Sequence, residues 1–149
     1  MPTIETSIEI SAPLARVWDL ATRVEEFPEF MPDVKSLKVL ERSDDGLRTV
    51  TEWVGIVKEF GMTVKWTEED LWDPDNHTCR FKMLSGDLKK YEGVWSFAEQ
   101  DGKVMFQSAI EFEHDVPLIG PLIKNLIAAK MRENAENIQK AIKEKAEAS

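Results

Sequence analysis

The sequence predicts an α+β fold: a curved antiparallel β-sheet of about seven strands wrapped around a long C-terminal α-helix, with two short helices after the first strand. Three observations carry this. From Val34 to Phe112 apolar residues recur mostly with period two, interrupted by short turns. A one-sided helical stripe then follows Pro121 to about Ala148. Most of the five tryptophans fall on strands of the middle section. One sheet face is therefore aromatic and has to be covered, and the final helix is the only element long enough to cover it.

Each element has a local cause. Thr3 to Ile10 alternates, with Ile4, Thr6, Ile8 and Ile10 on one face, which marks a half-buried strand. Ser11 and Pro13 suit the start of a helix, as cap and first-turn residue. Leu14, Val17, Trp18 and Ala21 keep helical spacing to about Thr22. Val24 to Phe30 reads as a shorter helical piece, because Pro28 and Pro32 forbid a long one. Strands are expected at Val34–Arg42, Leu47–Val57, Met62–Trp72, Thr78–Leu84, Lys89–Glu99 and Lys103–Phe112. The joints are Ser43-Asp44-Asp45-Gly46, Phe60-Gly61, Asp73-Pro74-Asp75-Asn76, Ser85-Gly86-Asp87 and Gln100-Asp101-Gly102. Short joints between consecutive strands imply an antiparallel meander. Pro121 opens the last helix, roughly 40 Å long at 1.5 Å per residue. Its stripe includes Leu122, Ile123, Leu126, Ile127, Met131, Ile138 and Ile142.

Composition excludes several function classes. The chain has 149 residues, enough for one domain with a real core, and a net charge of -9. That charge disfavours nucleic acid, whose phosphates need Lys and Arg. The single Cys79 forms no internal disulfide, and no Cys/His cluster suggests zinc, so neither a metal nor another cofactor is expected. The N-terminal residues carry no basic region or apolar core of signal-peptide length, and no stretch reaches the ~20 apolar residues of a membrane span. A cytoplasmic chain is expected.

Strand parity sorts the faces. On Met62–Trp72, Val64, Trp66, Glu68, Asp70 and Trp72 share a face, and burying its indoles outweighs exposing Leu71. Elsewhere the inward sets are Cys79, Phe81 and Met83; Tyr91, Gly93, Trp95 and Phe97; and Val104, Phe106, Ser108, Ile110 and Phe112. The strand carrying Trp53 has two mixed faces. Packed core is one reading of these sets; an apolar cavity with indole walls is the other. The cavity reading assigns as lining Phe27, Trp53, Val64, Trp66, Phe81, Met83, Trp95, Phe97, Phe106 and Ile110, with Ile123, Leu126 and Ile127 from the helix.

Glu68, Asp70, Lys130 and Asn134 are the polar candidates. Strand spacing puts Glu68 and Asp70 on one face. Either their carboxyls are inward neighbours, which raises at least one pKa and supplies a general base, or the strand end is solvated at the cavity mouth. Lys130 or Asn134 pointing inward would anchor a carbonyl or head group. His77 reads as exposed in its turn, and His114 with Asp115 as a polar rim. Cys79 reads as a small buried hydrophobe. Ser96 and Ser108 sit in no nucleophile-elbow motif. Residues 116–132 contain Lys124, Lys130 and Arg132 among apolar residues and no acid. That segment is either a helix edge or a gate that touches an anionic membrane.

Ile8-Glu9-Ile10-Ser11-Ala12-Pro13 running into Val17-Trp18-Asp19, then Phe27-Pro28-Glu29-Phe30-Met31-Pro32, Tyr91-Glu92-Gly93-Val94-Trp95-Ser96-Phe97 and the closing helix resemble the START-like superfamily, with its polyketide cyclase/dehydrase and lipid-transport members. The resemblance covers nearly the whole chain and implies the helix-grip fold. The nearest groups are the coenzyme-Q-binding proteins and the aromatase/cyclases. Trp66 and Asn134 match positions of the cyclases. The inward arginine that cyclases carry late on the fourth strand is replaced here by Thr67-Glu68-Glu69-Asp70, and an acid cannot polarise a ketone as a fixed cation does. The resemblance therefore implies binding or delivery of a hydrophobic quinone, lipid or polyketide-like molecule. Polyketide cyclase/dehydratase chemistry is the alternative, and an interaction module for a protein partner is a third.

Overall fold

The structure is a computed structural model; it describes residues 3–57, 61–113 and 121–148, and the side chains at 57, 62 and 121–127 lie outside the description. The chain runs β1 (Thr3–Ile10), α1 (Leu14–Thr22), a 3₁₀ turn (Val24–Glu26), α2 (Phe27–Phe30), β2 (Val34–Arg42), β3 (Arg48–Val57), β4 (Met62–Asp73), β5 (Thr78–Gly86), β6 (Lys90–Gln100), β7 (Lys103–Glu113) and α3 (Pro121–Glu147). Period-two patterning locates every strand to within two residues at each end.

All seven strands form one antiparallel sheet in the order β1-β7-β6-β5-β4-β3-β2. β1 and β2 are consecutive strands yet occupy opposite edges. The stretch α1–α2 therefore crosses from one edge of the sheet to the other. α3 packs along β1 and against α1. Register shifts at Val34/Ser36 and Val39/Glu41 in β2, and at Thr67/Glu68 opposite β5, bend the sheet. The extra residue of the β5 bulge is Leu84, turned outward and 54% exposed.

The inner face is as parity requires. Ile4, Ile10, Val104, Phe106, Ile110 and Phe112 are buried, and α3 adds Ala135, Gln139, Ile142 and Ala146. Phe97 and Phe106 are centred 4.4 Å apart, and Trp18 of α1 meets Phe97 edge-on at 5.7 Å. Leu71, on the other parity of β4, is exposed.

Two local expectations are corrected. Ser11 does not cap α1: the cap position is Pro13, without a side-chain bond, and the Ser11 amide donates instead to Glu147 Oε2 at the far end of α3, at 2.7 Å. His77 is not simply exposed: it is half-buried and its ring meets Trp18 edge-on at 5.2 Å. The Phe60 joint, His114 and Asp115 fall outside the described residues.

Candidate functional site

The site is built on the β3–β4 pair. Its register sets Thr49 opposite Asp70, Thr51 opposite Glu68 and Trp53 opposite Trp66. A ladder of two hydroxyls, two carboxyls and two indoles results. Trp53, whose face parity leaves open, points inward and is buried. It stacks on Trp66 with centroids 5.6 Å apart and planes 10° from parallel. Tyr91 adds a third ring 5.4 Å from Trp66, and Phe81 lies 5.7 Å from Tyr91.

Glu68 and Asp70 are inward neighbours, only 4% and 3% exposed, which overturns the solvated-mouth reading. The polar ends of the aromatic wall converge on them. Trp66 Nε1 donates to Glu68 Oε1 at 2.7 Å. Thr51 and Thr49 hydroxyls donate to Asp70 Oδ2 at 2.8 and 3.0 Å. Those hydroxyls accept in turn from Trp53 Nε1 at 3.0 Å and Trp72 Nε1 at 3.2 Å. Three indole N–H groups thus end on one acid pair.

Burial, the neighbouring Asp70 charge and a hydrogen bond to Asp70 push Glu68 well above the ordinary glutamate range, against the opposing pull of the Trp66 bond. Burial raises Asp70 as well, opposed by hydrogen bonds from Glu68, Thr51 and Thr49. Two buried carboxyls side by side disfavour ionising together, and Glu68, raised further than Asp70, is the one that holds a proton more tightly. The same burial pushes up Cys79 and Tyr91, helped by the charge of the pair. Cys79 is buried beside Trp72 on the register, as its apolar reading required.

The other predicted site residues separate into groups. Phe97, Phe106 and Ile110 are buried in the sheet–α3 core. Phe27 is fully buried and meets Trp53 at 5.9 Å and Trp95 at 6.3 Å. Val64, Trp66, Met83 and Tyr91 are only partly buried, so the inner face loosens toward this end of the sheet. Lys130 reaches Glu133 on its own helix at 3.2 Å. Asn134 lines a pocket of about 310 Å³ between α3 and the α2–β2 corner, with Phe30, Asp33, Ile56, Asn137 and Lys140. Asn137 Nδ2 bridges that pocket to Asp33 Oδ2 at 2.7 Å. The side chains of Ile123, Leu126 and Ile127, and residues 116–120 of the basic segment, lie outside the described residues.

Sequence reasoning missed Thr49 and Thr51. Inward hydroxyls on a strand with mixed faces carry no signal until register places them opposite two acids. A second pocket, about 340 Å³, is walled by Trp18, Arg23, Arg42, Thr49 and Trp72. Among the described residues no group of His, Cys, Asp and Glu is arranged to hold a metal ion, and no helix is long and apolar enough to cross a membrane.

Comparison with known proteins agrees with this architecture. The profile of the family described as polyketide cyclase / dehydrase and lipid transport matches residues 10–139. The protein TTHA0849 from Thermus thermophilus is 32% identical, with 97% of each chain covered and a TM-score of 0.90. The Zhui aromatase/cyclase from Streptomyces sp. R1128 superposes with a TM-score of 0.84 at 16% identity, over 98% of this chain and 93% of that one. A START superfamily protein from Mycobacterium smegmatis gives 0.79 at 20% identity, over 97% of each chain. A seven-stranded sheet closed by one long helix, matched over nearly its whole length, is the helix-grip fold, and the chain belongs to the polyketide cyclase / dehydrase and lipid transport family.

Proposed function

We propose that the chain binds or delivers a hydrophobic small molecule, such as a quinone, a lipid or a polyketide-like ring system, between the sheet and α3. The observation that carries this reading is the Trp53–Trp66 stack, with its polar edges tied down at Glu68 and Asp70. Anchoring the edges fixes both rings, and Trp66, only partly buried, offers the indole surface a ligand would meet; apolar walls with few polar groups are the usual build of a ligand pocket. Phe81, Met83 and Trp95 continue that wall, and Asn134 or Lys130 serves at its rim. The test is mass spectrometry of small molecules extracted with organic solvent from freshly purified protein. A stoichiometric quinone or lipid supports binding or delivery; an empty protein weighs against a stably held ligand.

A second reading, cyclase or dehydratase chemistry, is favoured by the acid pair itself. With Glu68 holding its proton and Asp70 ionised, the pair would be an acid and a base at one place. Asp70 would accept a proton from the carbon beside a ketone, and Glu68 would protonate the departing hydroxyl. Turnover of a poly-β-keto substrate by wild type and not by Asp70→Asn tests it. In either reading we place the chain in the cytoplasm. Residues 116–132 are the proposed membrane-touching gate, tested by flotation with vesicles containing or lacking anionic lipid.

A further inference from the structure

The pocket of about 340 Å³ lies at the far end of β4 from Trp66, where α1 and the 3₁₀ turn face the β2–β3 and β4–β5 turns. Trp53, Trp66, Phe81 and Trp95 do not line it. Its volume falls in the lower part of the usual ligand-pocket range, roughly 300–1,000 Å³, which suits a ligand of one or two rings. Trp18 and Trp72 form its apolar side, edge to face, with centroids 5.8 Å apart and planes at 83°. Leu47, beside the β2–β3 turn, is 40% exposed and, alone among the exposed large apolar side chains, lines a described pocket. An aromatic ring placed here covers Leu47 and extends the edge-to-face array, an arrangement that aromatic pairs prefer.

The polar groups of this pocket are rich in donors. Trp72 Nε1 is committed to Thr49, but Trp18 Nε1 has no hydrogen-bond partner among the described residues. Arg23 and Arg42 complete the lining, both about half-exposed. Arg42 Nη2 bonds Glu25 Oε1 at 2.8 Å. Arg23 Nη2 bonds Asp19, and its Nη1 is 3.9 Å from Glu26. Half-exposed pairs of this kind contribute little to stability. A guanidinium carries five N–H donors, so each arginine keeps donors in hand. Three acids stand against two cations in this ring, so the pocket has no excess positive charge to draw an anion from a distance. What selects an anion is contact geometry. A carboxylate bonding both arms of the Arg42 fork improves on the single-nitrogen contact with Glu25.

We propose that this pocket is a second ligand site, separate from the sheet–α3 cavity, for a small aromatic monocarboxylate. The ring lies against Trp18, Trp72 and Leu47, and the carboxylate takes Arg42 from Glu25, with Arg23 beside it. The site stands whether or not the sheet–α3 cavity holds a ligand. One negative charge fits, because the ligand takes over one arginine from one acid and Glu25 is free to turn into water. The pocket also backs onto the acid pair: Thr49 lines it and donates to Asp70 Oδ2 at 3.0 Å, so a ligand here lies one hydroxyl away from Asp70.

The test uses 2-naphthoate and 2-naphthamide, which differ in charge and hardly in shape. Dissociation constants are read from the Trp18 and Trp72 indole N–H signals by NMR, assigned with Trp18→Phe and Trp72→Phe. They are measured on wild type, Arg42→Gln and Glu25→Gln, and the same spectra show that each variant is folded. Wild type should prefer the carboxylate about tenfold. Arg42→Gln should lower that preference below about threefold. Glu25→Gln removes the competitor and keeps the fork, so naphthoate should bind it about threefold more tightly. These opposite responses separate a ligand site from a merely structural ion pair, whose loss from either side would act alike. Equal affinity of wild type for the two probes, weaker naphthoate binding by Glu25→Gln, or a preference that survives Arg42→Gln overturns the site. So does naphthoate binding that moves the Trp53 and Trp66 signals and leaves Trp18 and Trp72 still, and so does an absence of binding at millimolar concentrations.

Discussion

Trp53 and Trp66 lie face to face across β3 and β4, yet their indole nitrogens serve different members of one acid pair: Trp66 donates to Glu68, and Trp53 reaches Asp70 through Thr51. The stack itself contributes on the order of 0.5–1.5 kcal/mol beyond area burial. The edges do something different. An indole held by both its face and its N–H has one orientation left, so the wall is set before any ligand arrives.

Replacing Trp66 by Phe keeps an aromatic face and removes only the N–H. The Trp66 bond lowers the proton affinity of Glu68, so its loss moves the Glu68 titration further up. Carboxyl-carbon NMR across a pH series measures this directly. A Glu68 midpoint that does not move would mean that the indole bond is not made in solution.

Glu68 also links stability to pH. Its proton is held more tightly in the folded chain than in the unfolded one, so the folded state binds more protons between the ordinary value near 4.5 and its own raised value. The stabilising contribution is therefore full below the ordinary range and is lost as pH rises through the raised folded value. Asp70, also raised, acts with the same sign. Glu68→Gln keeps an acceptor for Trp66 and a donor toward Asp70 without a titratable proton. Its melting temperature relative to wild type should climb as pH rises from the ordinary glutamate range, near 4.5, through the raised folded value. A constant difference across that range would show that Glu68 titrates normally.

The strands were legible because period-two alternation is a local property, and for the same reason Leu71 out and Trp66 in could be read from one strand. What decides the site is not local. Whether Glu68 and Asp70 are buried depends on Thr49 and Thr51 standing opposite them, which is a matter of β3–β4 register. Burial of the Trp53 ring follows from the same register. Ser11 failed as a cap because α1 begins at Leu14, after Pro13, which leaves Ser11 two residues ahead of the cap position; its amide meets a carboxylate 136 positions away, a contact no local pattern reveals.

Gly93 fixes how closely Phe81 approaches the sheet. A Cβ there would sit 2.4 Å from the Ala109 carbonyl oxygen and 2.8 Å from the Phe81 ring. The ring could rotate away, but the carbonyl belongs to the β6–β7 ladder and cannot. Gly93→Ala should cost about 1–3 kcal/mol in urea unfolding, and it should displace Phe81 from the floor beside Trp95. Unchanged stability would show that the sheet yields at this point.

The grip on α3 is closed by a residue far from the aromatic wall. Arg16 of α1 donates to the last carbonyls of α3: Nε to Ala146 O at 2.6 Å, and Nη2 to Ala148 O at 2.8 Å and Lys145 O at 3.2 Å. These carbonyls have no partner within the helix, and a guanidinium at the negative end of the helix dipole both bonds them and offsets their charge. Lys143 and Ser11 hold the same end, through Glu9 O and Glu147. Lysine presents a single ammonium, so Arg16→Lys cannot reproduce the fork. The variant should melt about 2–4 °C lower. Amides of 141–147 should exchange faster, while those of the β3–β4 ladder keep their protection. Because Gln139 and Ala135 lie on the same helix above Thr6 and Ser108, loosening this end tests whether α3 holds its place over the sheet as one rigid element. Faster exchange confined to the last turn would mean that the fork only caps the helix. Faster exchange reaching Gln139 would mean that it sets the depth of α3 in the sheet.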